Sequence, residues 1–178
     1  MHIYFSTNAI PAENWERIHE YLDEFEGEIG LEIFPEYHKP CFEGALRKEL
    51  AYLEQMPCSL HGPYYESEYA VAGDSEEFRH SVELLRKTLE EVAPLHVSYM
   101  VYHHSNMVIR EEEKAQRLAY ARENYETVRK ICEEYGVPPV VENVTLGTLH
   151  KGLFSQEEFI AECKKLGCKV LIDIGHCN

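Results

Sequence analysis

The stretch KVLIDIGHCN at residues 169–178 combines a strand pattern with two ionisable side chains. The residues at 170–172 and 174 are all apolar, as in a short buried β-strand. Asp173 and His176 close this run in an Asp-x-x-His pattern. An unpaired carboxylate inside a buried strand costs free energy. We therefore expect Asp173 to face a cation, a metal ion or strong hydrogen-bond donors.

Five similar apolar segments precede this stretch along the chain. They read HIYF at 2–5, GLEIF at 30–34, CSLHG at 58–62, VSYMVYH at 97–103 and PVVENV at 139–144. Several of them run apolar without strict alternation, which is typical of parallel strands that are covered on both faces. Together the six segments predict one parallel sheet.

Amphipathic helix patterns lie between these segments. Apolar residues recur every three or four positions in 15–25, 78–92 and 118–135, with charged residues on the opposite face. Ser155 with Glu158 three residues later is a capping-box pattern, which marks the start of another helix. The alternation of strands and helices predicts an α/β fold.

Length and composition favour a single globular domain over residues 1–178. The hydrophobic content of 44% argues against a disordered chain. The net charge of -15 opposes binding to nucleic acid or to an anionic membrane, and so favours small-molecule chemistry. No apolar run reaches the roughly 18 residues of a spanning helix, and no signal-peptide pattern opens the chain. We expect a cytoplasmic protein.

Ionisable side chains stand at the ends of the last four predicted strands. The third strand ends in His61, the fourth in His103 and His104, the fifth in Glu142 and Asn143, and the sixth in Asp173 with His176 beyond it. The carboxyl ends of parallel strands meet at one edge of the sheet, where β/α barrels carry their sites. Adjacent strand residues face opposite sides. We expect His103 to face the site and His104 to be a loop or supporting residue.

These residues also have purely structural interpretations. His61 precedes a loop whose backbone it can hydrogen-bond, and Glu142 can form a buried salt bridge with a lysine or arginine. Asp173 can cap a helix, although the sequence predicts no helix after it. Three tyrosines in the connection after the third strand either stack on a substrate ring or cover the mouth of the sheet. They are Tyr64, Tyr65 and Tyr69.

The chain as a whole resembles the xylose isomerase-like TIM barrel superfamily, which includes sugar and sugar-phosphate isomerases and epimerases and also endonuclease IV. The resemblance lies in YFSTNAI at 4–10, LEIFP at 31–35, LHGPY at 60–64, VYHHS at 101–105, VVENV at 140–144 and LIDIGH at 171–176. It implies an eight-stranded barrel, which this chain matches only as far as its sixth strand. We therefore expect a TIM barrel truncated after the sixth strand. An open sheet exposes an edge, which implies a fragment, association with another copy or chain, or different packing.

The resemblance also implies a divalent metal ion, Mn, Mg, Co or Zn, at the C-terminal mouth of the barrel. Glu142 and Asp173 match the family's metal ligands. His61 and His103 match zinc ligands of the endonuclease, or pocket residues in isomerase-like members. His176 matches a residue that contacts substrate in the epimerases and binds zinc in the endonuclease. Tyr64 and Asn143 are expected to contact the substrate.

Three functions follow from this resemblance. In a sugar or sugar-phosphate isomerase or epimerase, the metal stabilises an enediolate while Glu142 moves the proton and His176 assists at the substrate. An endonuclease IV-like phosphodiesterase acting on abasic sites is an alternative, although the acidic charge opposes it. A catalytically incomplete barrel that acts as a binding or assembly module is another. Whether the chain is an enzyme stays open, because strands seven and eight are missing.

Overall fold

The structure is a computed structural model that describes residues 3–25, 28–144 and 152–177. Six strands form one parallel sheet in which each strand pairs with its neighbour in the sequence. They are β1 Ile3–Ser6, β2 Ile29–Ile33, β3 Cys58–His61, β4 Val97–Tyr102, β5 Pro139–Glu142 and β6 Lys169–Leu171. This strand order is that of a β/α barrel. Over the described residues, β1 and β6 are the two edges of the sheet and do not pair with each other.

Helices connect the strands and cover one face of the sheet. The α-helices of the described residues are α1 Ile18–Leu22, α2 Phe42–Leu53, α3 Glu76–Glu91, α4 Lys114–Glu134 and α5 Gln156–Leu166. The predicted α/β class, the parallel sheet and the six strands are therefore confirmed. No helix in the described part of the chain has both the length and the apolar character needed to cross a bilayer.

The first predicted helix, at 15–25, is broken into short pieces. Its α-helical part is Ile18–Leu22, and 3-10 turns lie on both sides of it. No side chain caps the start of α1, and a helix of so few residues is not stable without tertiary packing. Trp15, Ile18 and Leu22 are nevertheless buried. The apolar spacing therefore predicted most of the buried face but not the type of helix, and Phe25, the last residue of the predicted stripe, is 43% exposed.

The start of α5 is fixed by the predicted capping box. Ser155 Oγ accepts a hydrogen bond from the Glu158 backbone N–H at 3.2 Å. The Glu158 carboxylate accepts one from the Ser155 backbone N–H at 2.7 Å. The helix ends at Gly167, whose φ of 63° lies in the left-handed region that favours glycine. The prediction is confirmed, and α5 leads directly into β6.

Gly30 in β2 lies where no side chain fits. A Cβ atom at this position would lie 2.3 Å from the carbonyl oxygen of Pro57 and 2.9 Å from the ring of Tyr4. The Tyr4 ring packs edge-on against Tyr99, with ring centres 5.9 Å apart. The Pro57 backbone and the Tyr4 ring therefore leave no room for a side chain at position 30, and the sheet requires glycine there.

The sixth strand is not buried as its apolar sequence predicts. Val170 is exposed, and Ile172 and Ile174 are 57% and 83% exposed. β6 is the edge of the sheet, and no described strand pairs with its outer side. The prediction that Asp173 is buried is therefore wrong, because its side chain is 39% exposed.

Candidate metal-binding site

The polar strand ends lie together around one cavity at the carboxyl edge of the sheet. The ionisable and aromatic residues that line it include Glu32, His61, Tyr64, His103, Glu142, Asp173 and His176. Six of these seven residues were singled out from the sequence, and Glu32 was not. Asn143 lies beside the cavity, in a neighbouring pocket that also contains His104. Parallel pairing of consecutive strands brings these residues together although they are far apart in the chain.

Glu142, at the end of β5, is the centre of this cluster. Its Oε2 atom lies 2.9 Å from His103 Nε2 and 3.9 Å from His61 Nε2. Its Oε1 atom lies 3.4 Å from His176 Nδ1. The carboxylate is buried, and the described residues place no lysine or arginine within ion-pair distance of it. The structural interpretation of Glu142 as a partner of lysine or arginine therefore does not hold within the described chain.

The two histidines on either side of Glu142 have their hydrogen positions set by neighbouring oxygens. His61 donates from Nδ1 to the Gly62 carbonyl oxygen at 2.7 Å, and His103 from Nδ1 to the side-chain oxygen of Asn106 at 2.8 Å. A neutral imidazole carries one N–H, so His61 Nε2 turns a lone pair toward the carboxylate, whereas His103 Nε2 lies within hydrogen-bond distance of Glu142 Oε2, at 2.9 Å. Burial, together with the nearby His103, lowers the pKa of His61 to about 4. The three side chains together form a donor set that fits a metal ion.

A second group of donors shares Glu142 with the first. Ligand atoms of Glu142, Asp173 and His176 lie within 4.8 Å of one another, as do those of His61, His103 and Glu142. His176 Nε2 lies 3.6 Å from Asp173 Oδ2, while His176 Nδ1 donates to the Asn143 carbonyl oxygen at 2.7 Å. Within the described residues, Glu142 is therefore common to two adjacent groups of metal-type donors.

Asp173 is placed by its neighbours on both sides. A short 3-10 turn, Ile174–Cys177, follows it, and Asp173 Oδ1 accepts a hydrogen bond from the Gly175 backbone N–H at 2.6 Å. The expectation that no helix follows Asp173 is therefore wrong, and one carboxylate oxygen acts as a cap. Asn143 Oδ1 accepts from the Asp173 backbone N–H at 2.6 Å, and Asn143 Nδ2 donates to its carbonyl oxygen at 3.0 Å. Asn143 thus holds Asp173 in place.

The tyrosines of the connection after β3 have different positions. Tyr64 lies at the mouth of the cavity and is 38% exposed. Its ring centre is 5.8 Å from that of His103 and 6.0 Å from that of Phe34. Tyr69 is instead buried in the core, with its ring centre 5.1 Å from that of Tyr102. The suggestion that Tyr69 lies at the mouth is wrong, because its ring fills space between the sheet and the helices.

His104 faces away from the cluster, as its position next to His103 predicts. Its ring is buried among Tyr102, Tyr125 and Phe154, with ring centres 5.1 to 5.6 Å away. Neither ring nitrogen has a hydrogen-bond partner among the described residues. Burial lowers the pKa of His104 to about 4, so the ring is neutral at neutral pH.

Replacing His104 with phenylalanine is expected to make folding stability less dependent on pH. The unfolded chain binds the proton with a pKa of about 6.5, whereas the folded chain binds it at about 4. Stability therefore falls as the pH decreases from about 6.5 to 4, and the loss at pH 5 is about 2 kcal/mol. His104→Phe removes this contribution. Urea unfolding at pH 7 and pH 5 measures the difference.

The matched control for this experiment is His80→Gln, at an exposed position in α3. It is expected to keep the pH dependence of the parent protein. If His104→Phe lost as much stability as the parent between pH 7 and pH 5, the assignment of a neutral, buried His104 would be wrong.

Glu32 is a cavity residue that the sequence reasoning missed. It lies in β2 between the buried Leu31 and Ile33, and its side chain lines the cavity. Burial raises the pKa of Glu32, and the carboxylates of Glu142 and Asp173 raise it further. The signal was present in the sequence, because a carboxylate between two apolar strand residues is the same pattern that singled out Asp173.

Residues 30–178 match the sequence profile of a family described as xylose isomerase-like TIM barrel. A search of the curated proteins found no match.

Solved structures share the fold at low sequence identity. A D-tagatose 3-epimerase-like protein is 18% identical with a TM-score of 0.76, covering 99% of this chain and 66% of its own. D-psicose 3-epimerase from Clostridium cellulolyticum, solved with D-tagatose, is 18% identical with a TM-score of 0.69. The match covers 99% of this chain and 64% of the epimerase. Endonuclease IV from Thermus thermophilus is 21% identical with a TM-score of 0.54, covering 98% and 62%. The chain thus spans less than two thirds of the length of these structures.

Proposed function

Because the chain belongs to the xylose isomerase-like TIM barrel family, we propose that its strand-end cluster binds a divalent metal ion and transfers a proton on a sugar, as an isomerase or epimerase does. The observation that carries the proposal is the position of Glu142. It is a buried carboxylate that faces three imidazole rings, and it belongs to both groups of metal-type donors.

The donor atoms favour a particular class of metal ion. One group would hold the ion through the Nε2 atoms of His61 and His103 and the carboxylate of Glu142. The other would use Glu142, Asp173 and His176. Imidazole nitrogen combined with carboxylate oxygen suits Zn, Co or Mn, whereas Mg prefers oxygen ligands alone. When bound, such an ion polarises substrate oxygens and acidifies a C–H bond next to a carbonyl.

The side chains around the cluster have roles that follow from their positions. Glu142 is the carboxylate placed to accept a proton from carbon, with His103 hydrogen-bonded to one of its oxygens and His176 Nδ1 3.4 Å from the other. Glu32, whose pKa is raised by burial, is a second carboxyl group on the same cavity. Tyr64 and Phe34 form an aromatic wall, against which the C–H face of a sugar can pack.

The charge of the cavity favours a neutral sugar over a sugar phosphate. Carboxyl groups of Glu32, Glu142 and Asp173 line it, and none of its described lining residues is a lysine or an arginine. Phosphate recognition usually relies on such cations or on helix N-termini. The same feature, together with the net charge of -15, weighs against endonuclease activity, because DNA binding needs phosphate contacts.

Endonuclease-like chemistry remains the second candidate because of His61 and His103. Two imidazole donors beside a shared carboxylate form a ligand set that zinc prefers. Cleavage of an abasic-site oligonucleotide with zinc present, at low salt, would favour this candidate over the sugar enzyme.

The proposed function is tested by metal content and solvent exchange together. Dialysed protein is expected to retain one or two Zn, Co or Mn ions per chain in elemental analysis. In D2O, it is expected to introduce deuterium next to the carbonyl of a ketohexose, as followed by proton NMR, and to act less on the corresponding phosphate. Protein that binds no divalent ion and exchanges no proton on any ketose would contradict the proposal, and a stable oligomer with neither property would favour the assembly module.

A further inference from the structure

We propose that Asn106 is a positioning residue for His103. In this role it determines which ring nitrogen of His103 carries the hydrogen, and it ties that ring to the loop that presents Tyr64. The inference rests on the proposed metal site for its consequence. Its structural basis is the set of hydrogen bonds made by Asn106, a residue that the sequence did not single out.

The orientation of the Asn106 amide follows from its partners. Its Nδ2 atom lies 3.3 Å from the carbonyl oxygen of Tyr64 and 3.5 Å from that of Ser67. Carbonyl oxygens only accept hydrogen bonds, so the nitrogen of the amide has to face them. The Asn106 oxygen is then left to face His103 Nδ1 at 2.8 Å. As an acceptor, it requires a hydrogen on Nδ1. Glu142 Oε2 lies 2.9 Å from Nε2 on the other side of the ring, so the two oxygens compete for the single hydrogen of a neutral imidazole. The Asn106 oxygen favours the form that leaves Nε2 available to a metal ion.

The backbone of Asn106 is also fixed, by the buried carboxylate of Glu68. Glu68 Oε2 accepts a hydrogen bond from the Asn106 backbone N–H at 3.1 Å, and Oε1 accepts one from the Ala70 N–H at 2.9 Å. The Glu68 backbone N–H donates in turn to Ser81 Oγ in α3 at 2.8 Å. Glu68 therefore joins the connection after β4 to the connection after β3, and Asn106 cannot shift without breaking these bonds.

The energetic consequence concerns the choice between two forms of the His103 ring. Without the Asn106 oxygen, the hydrogen can move to Nε2, where it would point at Glu142 and block the coordinating lone pair. Removing an outer partner of a metal-binding histidine typically lowers metal affinity by about 10- to 100-fold. The same deletion frees the carbonyl oxygens of Tyr64 and Ser67.

Asn106 accepts a hydrogen bond from His103 and donates to the carbonyl oxygens of the loop, and two substitutions distinguish these roles. Asn106→Ala is expected to lower zinc affinity by about 10- to 100-fold, measured by competition with a chelator. Asn106→Asp keeps an oxygen for His103 Nδ1 but cannot donate to the two carbonyls. It is therefore expected to hold zinc within about threefold of the parent, while hydrogen exchange in the loop around Tyr64 accelerates in both variants.

A direct readout is available in metal-free protein. Nitrogen-15 NMR of the imidazole distinguishes the two neutral forms of His103. The parent and Asn106→Asp are expected to carry more of the hydrogen on Nδ1 than Asn106→Ala, in which the carboxylate of Glu142 draws it to Nε2. This measurement does not need a bound ion, so a parent protein that binds no metal would refute the proposed function without deciding the role of Asn106.

Asn124 provides a matched control from the neighbouring helix α4. Its Nδ2 atom donates to the carbonyl oxygens of Tyr69 and Val71, each at 2.8 Å, so it holds the same loop from the side of α4 instead of through His103. Asn124→Ala is expected to lower stability and to leave zinc affinity and the His103 spectrum unchanged. The proposal is overturned if Asn124→Ala and Asn106→Ala weaken zinc binding equally, or if His103 keeps its hydrogen on Nδ1 in Asn106→Ala.

Discussion

Glu142→Gln is expected to lower the affinity of the protein for zinc by more than about 100-fold, beyond the loss typical of an outer partner. The carboxylate belongs to both groups of donors, so its removal takes a negative ligand from each. Glutamine has nearly the same shape, and its amide can donate a hydrogen bond toward His103 Nε2. The fold is therefore expected to persist. Chelator competition measures the affinity, and circular dichroism with urea unfolding reports the fold.

Glu36→Gln is the control for the loss of a buried carboxylate. Glu36 is buried, accepts a hydrogen bond from the Ala12 backbone N–H at 3.2 Å and pairs with Lys39 at 2.7 Å, outside the cluster. This variant is expected to lose stability and to retain zinc affinity. Zinc binding that survives in Glu142→Gln at the parent's strength would show that the ion, if bound, lies elsewhere.

Gly30→Ala is expected to destabilise the protein by about 3 kcal/mol, at the upper end of the usual cost of overpacking. The new Cβ atom would meet the Pro57 carbonyl oxygen at 2.3 Å. That oxygen cannot move freely, because it accepts a hydrogen bond from the Leu31 backbone N–H at 3.1 Å. The strand pairing of β2 and β3 therefore has to distort. Urea unfolding at pH 7 gives the change in free energy.

Gly44→Ala is the matched comparison for the same chemical change. Gly44 lies in α2, and a Cβ atom there would have no neighbour within 4 Å. Alanine is favoured over glycine inside helices by about 0.5 to 1 kcal/mol, so this variant is expected to be more stable than the parent. Equal effects of the two substitutions would contradict the close packing around Gly30.

The apolar patterns predicted the elements well because strand and helix periods are local properties. Even CSLHG at 58–62, the segment poorest in β-branched residues, forms β3 next to the predicted strands. Burial was predicted less well, since it depends on what packs outside a strand. The run from Val170 to Ile174 looks like a core strand but lies at the edge of the sheet.

The candidate site was predictable where a polar residue directly follows an apolar strand. Glu142 and His61 stand at such positions, and the parallel sheet brings them together. The supporting residues were not predictable, because their contacts join separate loops. Asn106 forms hydrogen bonds with the carboxylate of Glu68 and the carbonyl oxygen of Tyr64, which lie 38 and 42 positions away in the sequence. No local sequence pattern predicts these contacts.

The sequential strand order has a consequence for how the protein is made. Each strand pairs with the one synthesised just before it, so every new β/α unit emerging from a ribosome finds its partner already present. Such neighbour-to-neighbour assembly avoids waiting for distant segments. The donors of the cluster then arrive in turn, His61 and His103 before Glu142, and Asp173 after them. During biosynthesis, His61 and His103 would be in place before Glu142, Asp173 and His176 complete the two groups of donors.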